Sequence, residues 1–436
     1  MLRFGTDGVR GVALTELTEN YVAELGLVAA QQLGVKKVLI GRDTRESGPR
    51  LEAALANGLL AGGVSVELLG VAPTPAIAFL AAKRGCASAA ITASHNPFAD
   101  NGVKLFANGG LKLSDAQQDA IESNMTGNAS VQAALPDSVQ LLDEYVSHIV
   151  GLFPVLAFSG IRIVLDCANG AMSEVAPLAF ARLGATVIVM NDEPNGKNIN
   201  EKCGATHPEL VSEAVRLHKA DLGLAFDGDG DRVIAVDHVG DVVDGDHLIA
   251  LAAIDMHKRG KLKSNAVAVT VMTNAGFHAA MQLHGINVVT TAVGDRNILV
   301  AFDEHDIALG GEQSGHIIYR DHATTGDGLL AGAMLVDLVR REAKPLATLA
   351  RNAMTSLPQT LINVRVANVV VDPAADLAAE IAQANVRLGG VGRVLLRASG
   401  TEPVIRVMVE AATEETAESI AAGLAEAASQ RFGGVR

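Results

Sequence analysis

Hydrophobic and polar positions alternate along the chain in blocks that predict strands and helices in turn. The run KKVLIG (36–41) predicts a strand, the segment from Ser47 predicts a helix, and VSVELLG (64–70) predicts the next strand. Thr18 and Gly34 have the positions of an N-cap and a C-cap around an earlier helix. Short apolar runs separated by longer amphipathic stretches are typical of βαβ units. The N-terminal part is therefore predicted to be an α/β domain.

The same rhythm begins again at two later points. IRIVLD (161–166) and NAVAVTVM (265–272) each read as a buried strand that is followed by a polar tip and a helix. Three segments of similar length that begin alike predict three related α/β domains.

The last segment has a different pattern. QTLINVRVAN (359–368) predicts a strand and PAADLAAEIAQANVRLG (373–389) a helix, while RVLLRASG (393–400) and PVIRVMVEA (403–411) are close enough to pair antiparallel. The predicted fold class is thus α/β, with three related α/β domains that have mixed sheets and a smaller C-terminal α+β domain. The predicted boundaries are 1–152, 153–245, 246–357 and 358–436.

Composition and charge narrow the function. The chain has 436 residues, 49% of them apolar, and no tryptophan, which favours layered α/β cores of Ala, Val, Leu and Ile. Its net charge of −14 argues against nucleic acid or an anionic membrane as a partner. An anionic small-molecule substrate stays compatible with this charge if basic residues gather in one cleft.

The cysteines and the N-terminus indicate a cytoplasmic protein. Cys86, Cys167 and Cys203 are odd in number and scattered, which fits neither a disulfide framework nor a zinc site. MLRFGTDGVRG has no apolar signal-peptide core, and no apolar run reaches the roughly 18 residues of a membrane helix.

The stretch FDGDGDRV (226–233) is the most informative motif. Asp227, Asp229 and Asp231 alternate with glycines directly after an apolar strand, and such close carboxylates repel one another unless a cation lies between them. Oxygen ligands favour Mg²⁺, Mn²⁺ or Ca²⁺ over zinc. An EF-hand is excluded because Arg232 stands where its turn glycine is required. A solvated acidic turn is the alternative.

A second motif is ITASHNPFADNGVKLF (91–106), in which Ser94 precedes Asn96–Pro97 on a stiff turn. Mg²⁺ requires more oxygen ligands than three carboxylates supply, and a phosphoserine is a strong one. We therefore hypothesise that Ser94 carries a phosphoryl group that the metal holds. The alternative is that SHNP is an ordinary Asx or ST turn.

Two further loops indicate phosphate and sugar recognition. In RASGTEPVIRV (397–407), hydroxyls and backbone N–H groups between two arginines suit a phosphate dianion, although an ordinary hairpin turn is the alternative. In GGEQSGHIIY (310–319), Glu312 and Ser314 could clamp two neighbouring sugar hydroxyls, and His316 could exchange protons near neutral pH. By itself this loop is a weak motif, because a histidine on a loop is more often a surface residue.

Basic residues recur at predicted strand tips, in FGTDGVRG (4–11), GRDTRESG (41–48) and the GDR at 294–296. We expect them to supply the local positive cleft for an anionic substrate.

The motifs TASHNP, DGDGDR, GEQSGH and RASGTEP, in this order, resemble the α-D-phosphohexomutase superfamily over essentially the whole chain. The resemblance implies four domains around a central cleft. NGKNINEKCGATHPE (195–209) and GEQSGHIIYRDHATTGDG (311–328) look like the branch that acts on hexosamine phosphates, and Gln313 stands where phosphomannomutase/phosphoglucomutase enzymes more often have Met. That branch interconverts glucosamine 6-phosphate and glucosamine 1-phosphate for amino-sugar nucleotide and cell-wall precursor synthesis. A phosphomannomutase/phosphoglucomutase is the alternative.

The resemblance also implies a role for each motif residue. Ser94 would be the phosphoserine, which would share one Mg²⁺ per chain with Asp227, Asp229 and Asp231. Glu312 and Ser314 would bind sugar hydroxyls. The phosphate that is not transferred would lie against Arg397, Ser399, Gly400, Thr401 and Arg406. The positions near the reacting oxygens, whose part in proton transfer stays open, are Arg10, Lys104 and His316.

Further expectations come from the resemblance alone. The phosphoryl primer would be glucosamine 1,6-bisphosphate or a similar compound, the partner a small phosphosugar, and the assembly a homodimer.

Two other classes of function predict different sequences. A non-catalytic phosphosugar-binding protein would have lost a key residue, and none is missing. A metal-dependent phosphatase would use the same aspartates but has no need of a second phosphate-binding loop.

Overall fold

The computed structural model describes residues 2–5, 8–127, 135–367, 370, 372–398 and 403–434. The chain divides into two compact units, each of which is described by itself. The first unit comprises Met1–Met272 and His284–Ala353, and the second comprises Thr273–Leu283 and Met354–Arg436.

The first sheet lies in the N-terminal part of the first unit, with strand order β1-β5-β4-β2-β3 and β6 beside β5. Its strands are β1 (Val9–Val12), β2 (Lys37–Arg42), β3 (Ser65–Val71), β4 (Ala87–Ile91), β5 (Asp100–Ala107) and β6 (Leu111–Lys112). The helices of this part are α1 (Glu19–Leu33), α2 (Gly48–Ala61), α3 (Thr74–Arg84), α4 (Asp115–Asn124) and α5 (Leu142–Gly151). The predicted caps of α1 are confirmed, because the Thr18 side chain accepts from the Tyr21 N–H and Gly34 is left-handed.

The second sheet has the order β11-β10-β9-β7-β8. Its strands are β7 (Arg162–Asp166), β8 (Thr186–Met190), β9 (Leu222–Phe226), β10 (Val233–Asp237) and β11 (Val242–Val243). The accompanying helices are α6 (Met172–Arg182) and α7 (Glu209–His218), with a 3₁₀ turn at Gly204–Thr206.

The third sheet has the order β13-β12-β14-β15. Its strands are β12 (Ala266–Thr270), β13 (Asn287–Thr291), β14 (Leu309–Gly311) and β15 (Ile317–Tyr319). The helices in this stretch of sequence are α8 (Gly245–Lys258), α9 (Ala275–Leu283), α10 (Asp295–His305), α11 (Gly328–Glu342) and α12 (Leu346–Ala353), with a 3₁₀ turn at Lys263–Asn265.

One topology is common to the three sheets. A central strand has a parallel neighbour on each side, and a further strand runs antiparallel to the second neighbour, in the orders β3-β2-β4-β5, β8-β7-β9-β10 and β13-β12-β14-β15. The prediction of three related α/β domains with mixed sheets is confirmed.

The turn into the antiparallel strand carries one sequence motif in each sheet. We call these turns the serine turn (92–99), the aspartate turn (227–232) and the glutamate turn (312–316). Strands β4, β9, β10 and β12 consist entirely of buried residues, mostly Ala, Val, Leu and Ile. The serine and aspartate turns therefore start from rigid, close-packed strands.

The second unit contains an antiparallel sheet with the order β16-β18-β17. Its strands are β16 (Gln359–Arg365), β17 (Gly392–Ala398) and β18 (Val404–Ala411), and its helices, in addition to α9, are α13 (Pro373–Asp376), α14 (Ala378–Leu388) and α15 (Glu414–Phe432). The predicted helix 373–389 is broken at Leu377, whose side chain is buried in the core of this unit. Helix α9 joins this unit because the buried Glu410 accepts from the Ala275 N–H at 2.8 Å.

None of the helices in the described part of the chain is long and apolar enough to cross a membrane.

Candidate active site

Ser94 lies in the serine turn with a strained backbone. Its φ is +53°, in the left-handed region, and its side chain is buried. A non-glycine residue in this conformation costs on the order of 1 kcal/mol and persists only where the surroundings enforce it. The Ser94 N–H donates to Thr92 Oγ1 at 2.9 Å, which contributes to that enforcement.

Two side chains hold the carbonyl groups of the serine turn. Arg45 Nη2 donates to the carbonyl oxygens of Ser94 and Asn96 at 3.0 and 2.8 Å. Asn200 Nδ2 donates to the same two oxygens at 2.9 and 3.1 Å. The backbone at Ser94 is thus fixed by donors from two loops, one after β2 of the first sheet and one after β8 of the second.

The position of Arg45 corrects one expectation from the sequence. GRDTRESG was expected to add positive charge to the substrate cleft, but Arg45 is buried and pairs with Asp43 at 2.8 Å. Its charge is used inside the protein, where it stabilises the serine turn.

The aspartate turn brings three buried carboxylates together. One oxygen each of Asp227, Asp229 and Asp231 lies within 4.8 Å of the other two. Ser94 Oγ donates to Asp227 Oδ2 at 2.6 Å, and Lys104 Nζ donates to Oδ2 of both Asp229 and Asp231 at 2.8 Å. The structure therefore brings Ser94, the aspartate triplet and Lys104 into one cluster across two sheets.

The backbone of the aspartate turn is held by three neighbouring segments. The N–H groups of Thr74, Ala171 and Gly328 donate to carbonyl oxygens of the turn at 2.8–3.0 Å. A Cβ at Gly228 would lie 2.7 Å from the Ser94 carbonyl oxygen, so only glycine allows the serine and aspartate turns to approach this closely.

The charges in the aspartate turn are distributed unequally. Burial, with Asp231 and Asp229 nearby, raises the pKa of Asp227 well above its usual value. Burial acts in the same direction on Asp231, but Lys104 and His316 hold the pKa of that carboxyl well below its usual range. The positive charge that the protein supplies is therefore concentrated on Asp231 and reaches Asp227 less.

The aspartate triplet fits a divalent cation. Oδ1 of Asp229 and Oδ1 of Asp231 are buried and have no hydrogen-bond partner in the part of the chain that the structure describes. Buried acceptors are almost always satisfied, and hard divalent cations take oxygen ligands. These two oxygens and the Asp227 carboxylate are the ligands that the triplet can offer.

The glutamate turn is anchored next to the aspartate turn. The Val233 N–H donates to the Gly315 carbonyl oxygen at 3.1 Å, and Glu312 Oε1 accepts from the Gly294 N–H at 3.2 Å. Gln313 Nε2 donates to Asp244 Oδ2 at 3.2 Å, while Ser314 is exposed. The two polar residues predicted to bind sugar, Glu312 and Ser314, thus lie at the edge of the cluster.

His316 is buried between two carboxylates. Its Nδ1 lies 3.6 Å from Asp231 Oδ1 and its Nε2 lies 3.4 Å from Asp295 Oδ2. Burial lowers the pKa of His316, but Asp231 and Asp295 outweigh it and raise the pKa to about 10. His316 is therefore not the ordinary surface histidine of the alternative interpretation.

One cavity of about 340 Å³ joins the three turns. It is lined by His95, Ala205, Thr206, Asp227, Arg232, Ile234, Gln313 and Ser314. His95 Nδ1 lies 3.3 Å from Ser94 Oγ. Burial, Arg232 and Arg10 lower the pKa of His95 to about 4, which leaves a neutral imidazole beside Ser94 near neutral pH. Arg10 lies on β1, where it pairs with Gly102 of β5.

Several residues of the cluster escaped the sequence analysis. His95 and Arg232 stand inside recognised motifs, so their neighbours in sequence were a usable signal. Asn200 and Asp295 also stand inside quoted stretches, 195–209 and 294–296, but nothing in those stretches indicated that their side chains contact the cluster. Thr74 stands in no recognised motif and reaches the cluster from a segment far away in sequence.

In the second unit, Arg397 and Arg406 face each other on β17 and β18 as paired residues. Like charges directly opposite destabilise a sheet, and burial together with Arg406 lowers the pKa of Arg397. Neither arginine has an ion-pair partner within the described ranges of the unit. The pair is therefore suited to an anion; Ser399, Gly400 and Thr401 lie outside the described residues.

Family models identify the class. The models described as phosphoglucomutase/phosphomannomutase alpha/beta/alpha domains I, II and III match residues 1–132, 143–240 and 244–357, and that of the C-terminal domain matches residues 361–427. The chain belongs to the phosphoglucomutase/phosphomannomutase family, which confirms the resemblance to the α-D-phosphohexomutases.

Curated relatives are similar along their whole length. The phosphoglucosamine mutase of Streptomyces coelicolor is 47% identical over 450 residues, covering 99% of this chain and 99% of the relative. The phosphoglucosamine mutase of Saccharopolyspora erythraea is 48% identical over 439 residues, covering 97% and 98%.

Solved structures have the same fold. A phosphoglucomutase/phosphomannomutase family protein from Burkholderia thailandensis matches with a TM-score of 0.81 and 24% identity, covering 98% of both chains. The N-acetylphosphoglucosamine mutase of Aspergillus fumigatus, in complex with GlcNAc-6P and magnesium, matches with a TM-score of 0.72 and 18% identity, covering 98% of this chain and 95% of that one. At these identities the likeness concerns the fold alone.

Proposed function

We propose that this chain is a phosphoglucosamine mutase, which interconverts glucosamine 6-phosphate and glucosamine 1-phosphate through a phosphoserine enzyme and a 1,6-bisphosphate intermediate. The observation that carries the proposal is the 2.6 Å hydrogen bond from Ser94 Oγ to Asp227 within a triplet that has buried, unsatisfied oxygens. A phosphoryl group on Ser94 Oγ would lie next to a cation held by the three aspartates. The relatives at 47–48% identity support the choice of the glucosamine phosphates as substrates.

The reaction begins with a phosphoryl group on Ser94, which a bisphosphate primer such as glucosamine 1,6-bisphosphate supplies. A sugar hydroxyl oxygen attacks the phosphorus atom, and the bond from phosphorus to Ser94 Oγ breaks. The sugar hydroxyl loses its proton and Ser94 Oγ gains one, so that a bisphosphate and a free serine result. The bisphosphate turns end for end, and its other phosphoryl group returns to Ser94 by the reverse step.

The aspartate turn would hold Mg²⁺ through Asp227, Asp229 and Asp231, together with an oxygen of the phosphorylated Ser94. When bound, the cation neutralises phosphoryl oxygens as charge moves between them. Arg45 and Asn200 keep the Ser94 backbone in one position, and a displacement of about 1 Å can cost a hundredfold in rate.

Recognition of the sugar is divided between two regions. Glu312 and Ser314 bind two neighbouring sugar hydroxyls. The same two residues can bind the sugar in both orientations of the bisphosphate, because neighbouring hydroxyls present a similar arrangement in each. Arg397 and Arg406, with Ser399, Gly400 and Thr401, hold the phosphate that is not transferred. A phosphate dianion would relieve the repulsion between the two paired arginines.

Arg10, Lys104 and His316 are the residues that the family resemblance suggests for proton transfer. The distance of 3.3 Å between His95 Nδ1 and Ser94 Oγ adds a fourth candidate, and one that lines the cavity. Lys104 and His316 both lie against the aspartates instead, which favours a supporting role for them.

The test compares substrates. The purified chain, with Mg²⁺ and a hexose 1,6-bisphosphate, is given glucosamine 6-phosphate, glucose 6-phosphate or mannose 6-phosphate, and the 1-phosphates formed are measured. We expect the highest kcat/KM with glucosamine 6-phosphate. Faster turnover of the other two would favour the phosphomannomutase/phosphoglucomutase alternative, and steady release of phosphate without isomer would favour a phosphatase.

A further inference from the structure

Lys104 is a buried lysine at the centre of the cluster. It lies on β5, where its side chain is 2% exposed, and it does not line the cavity. A lysine this deeply buried is normally paired, and Lys104 Nζ donates to two carboxylates of the aspartate turn. Lys104 therefore acts through those carboxylates and not by direct contact with a molecule in the cavity.

The two contacts of Lys104 select particular oxygens. Nζ lies 2.8 Å from Oδ2 of Asp229 and 2.8 Å from Oδ2 of Asp231. Thr74 Oγ1 also donates to Asp229 Oδ2, at 2.6 Å. Oδ1 of each aspartate is left without a hydrogen bond in the described part of the molecule. The ammonium group thus turns both carboxylates so that neither Oδ1 atom is used in a hydrogen bond. Asp231 Oδ1 has only longer ion-pair contacts, to His316 Nδ1 at 3.6 Å and to Arg232 Nε at 3.8 Å.

A charge balance gives a separate reason for a lysine at this place. Three carboxylates and a phosphoryl dianion carry more negative charge than one divalent cation can neutralise. Buried charge that is not compensated is costly, so the triplet requires fixed positive charge from the protein. Lys104 supplies one such charge at hydrogen-bond distance on the side of the Oδ2 atoms.

We propose that Lys104 is a positioning residue for the divalent cation, which clamps Oδ2 of Asp229 and Asp231 and thereby presents the two Oδ1 atoms to the metal. This inference rests on the cation of the proposed function. It differs from a role in proton exchange, because it predicts an effect on metal affinity in the absence of substrate.

The experiment is a titration of the metal-free full chain with Mn²⁺ alone, in which free Mn²⁺ is followed by its electron paramagnetic resonance signal. For Lys104→Met we expect Mn²⁺ affinity to fall about 10- to 100-fold, as for other residues that orient metal ligands. Lys104→Gln, which retains one donor, is the second variant if Lys104→Met does not fold, and its expected loss is smaller but in the same direction.

The direction of the change in Mn²⁺ affinity distinguishes a positioning role of Lys104 from a role as a positive charge alone. If Lys104 only contributed positive charge, its removal would strengthen the attraction for Mn²⁺, and affinity would rise. Unchanged or tighter Mn²⁺ binding in both variants therefore overturns the inference. If the unsubstituted chain binds no Mn²⁺, the cation of the proposed function fails, which is a distinct result.

Lys112→Met is the matched control. Lys112 is a partly buried lysine of the same sheet, on β6, and pairs with Asp295 at 2.9 Å instead of with the triplet. We expect its Mn²⁺ affinity to equal that of the unsubstituted chain. An equal loss in Lys112→Met and Lys104→Met would trace the effect to packing around the sheet and overturn the assignment.

Discussion

The serine turn and the aspartate turn occupy the same place in two sheets of the same topology, but they satisfy their polar atoms differently. In the serine turn, Arg45 and Asn200 saturate the carbonyl groups of Ser94 and Asn96. In the aspartate turn the backbone is equally well held, while two buried carboxylate oxygens are left over. The first turn holds the Ser94 backbone rigidly, and the second leaves buried carboxylate oxygens that could hold a metal ion.

The glutamate turn, the third of the set, extends the comparison. Its Ser314 is exposed and lines the cavity, whereas Ser94 is buried. The three turns thus share one structural position and differ in which of their polar atoms the rest of the protein satisfies.

The largest effect is expected for Ser94→Ala, which removes the atom that the serine turn presents. Mutase turnover should fall by at least about 10⁴-fold, because loss of a covalent nucleophile leaves only the contribution of binding. A coupled assay for glucosamine 1-phosphate measures it. Ser88→Ala, at a buried serine of β4 whose Oγ has no hydrogen bond within the described residues, should retain activity. Substantial turnover in Ser94→Ala would remove Ser94 from the mechanism.

Asp227→Asn should lower turnover and Mg²⁺ binding without lowering the thermal stability of the metal-free protein. Because burial and the neighbouring acids raise the pKa of Asp227, the ionised carboxyl is costly in the metal-free protein, and asparagine should leave thermal stability unchanged or slightly raised. Turnover should fall about a hundredfold or more. We expect Mg²⁺ to raise the unfolding temperature of the unsubstituted chain and to have no such effect on Asp227→Asn. An equal Mg²⁺-dependent stabilisation in both would contradict the assignment of the cation to this turn.

Asn200→Gly removes two hydrogen bonds to the serine turn and none to the aspartate turn. Glycine retains the left-handed φ of +57° at this position but removes both donors to the carbonyl groups of Ser94 and Asn96. We expect kcat to fall about 10- to 100-fold while Mn²⁺ affinity is unchanged. Asn265→Gly, the same change at another left-handed asparagine, is the control and should be neutral for kcat. A parallel loss of Mn²⁺ affinity in Asn200→Gly would mean that the two turns are not held independently.

The smallest effect concerns a support of the aspartate turn and depends on pH. Asp327 caps α11, whose first residue donates to the Gly230 carbonyl oxygen of the turn at 3.0 Å. Burial raises the pKa of Asp327 from 3.8 to about 6. The hydrogen bonds from the Leu330 N–H and the Tyr145 hydroxyl lower this pKa but do not outweigh burial. Folding therefore favours the protonated form of Asp327. The resulting contribution to the free energy of unfolding is complete below about pH 4 and is lost as the pH rises through about 6.

Asp327→Asn retains the cap without this titration. The stability of Asp327→Asn relative to the unsubstituted chain should rise by about 2–3 kcal/mol between pH 4 and pH 7, as the native carboxyl becomes ionised. Thermal unfolding across this pH range measures the difference, with Asp303→Asn, at an exposed aspartate, as the control. A difference that is constant with pH would contradict the raised pKa.

Local patterns in the sequence predicted much of the fold. Thr18, Ser47 and Gly34 marked helix ends, and the three restarts of strand and helix predicted the three related sheets. The helix break at Leu377 was missed, because the periodicity continues through it and only packing of Leu377 in the core decides the break.

The site was predictable where its residues lie in compact motifs. Ser94 and the three aspartates were identified from the turns that contain them, and the structure brings them together. The supports were not predictable, because Asn200 reaches the Ser94 carbonyl across 106 positions of sequence and Arg45 reaches it across 49. An arginine on a glycine-rich segment looks like surface charge until Asp43 and the carbonyl groups around it are known.

The most direct test of the account is the intact mass of the full chain before and after incubation with Mg²⁺ and a hexose 1,6-bisphosphate, followed by peptide mapping. The account predicts the addition of a single phosphoryl group, located on Ser94, present in Ser88→Ala and absent in Ser94→Ala. A chain that stays unmodified while it isomerises the sugar, or a phosphoryl group on another residue, would contradict it.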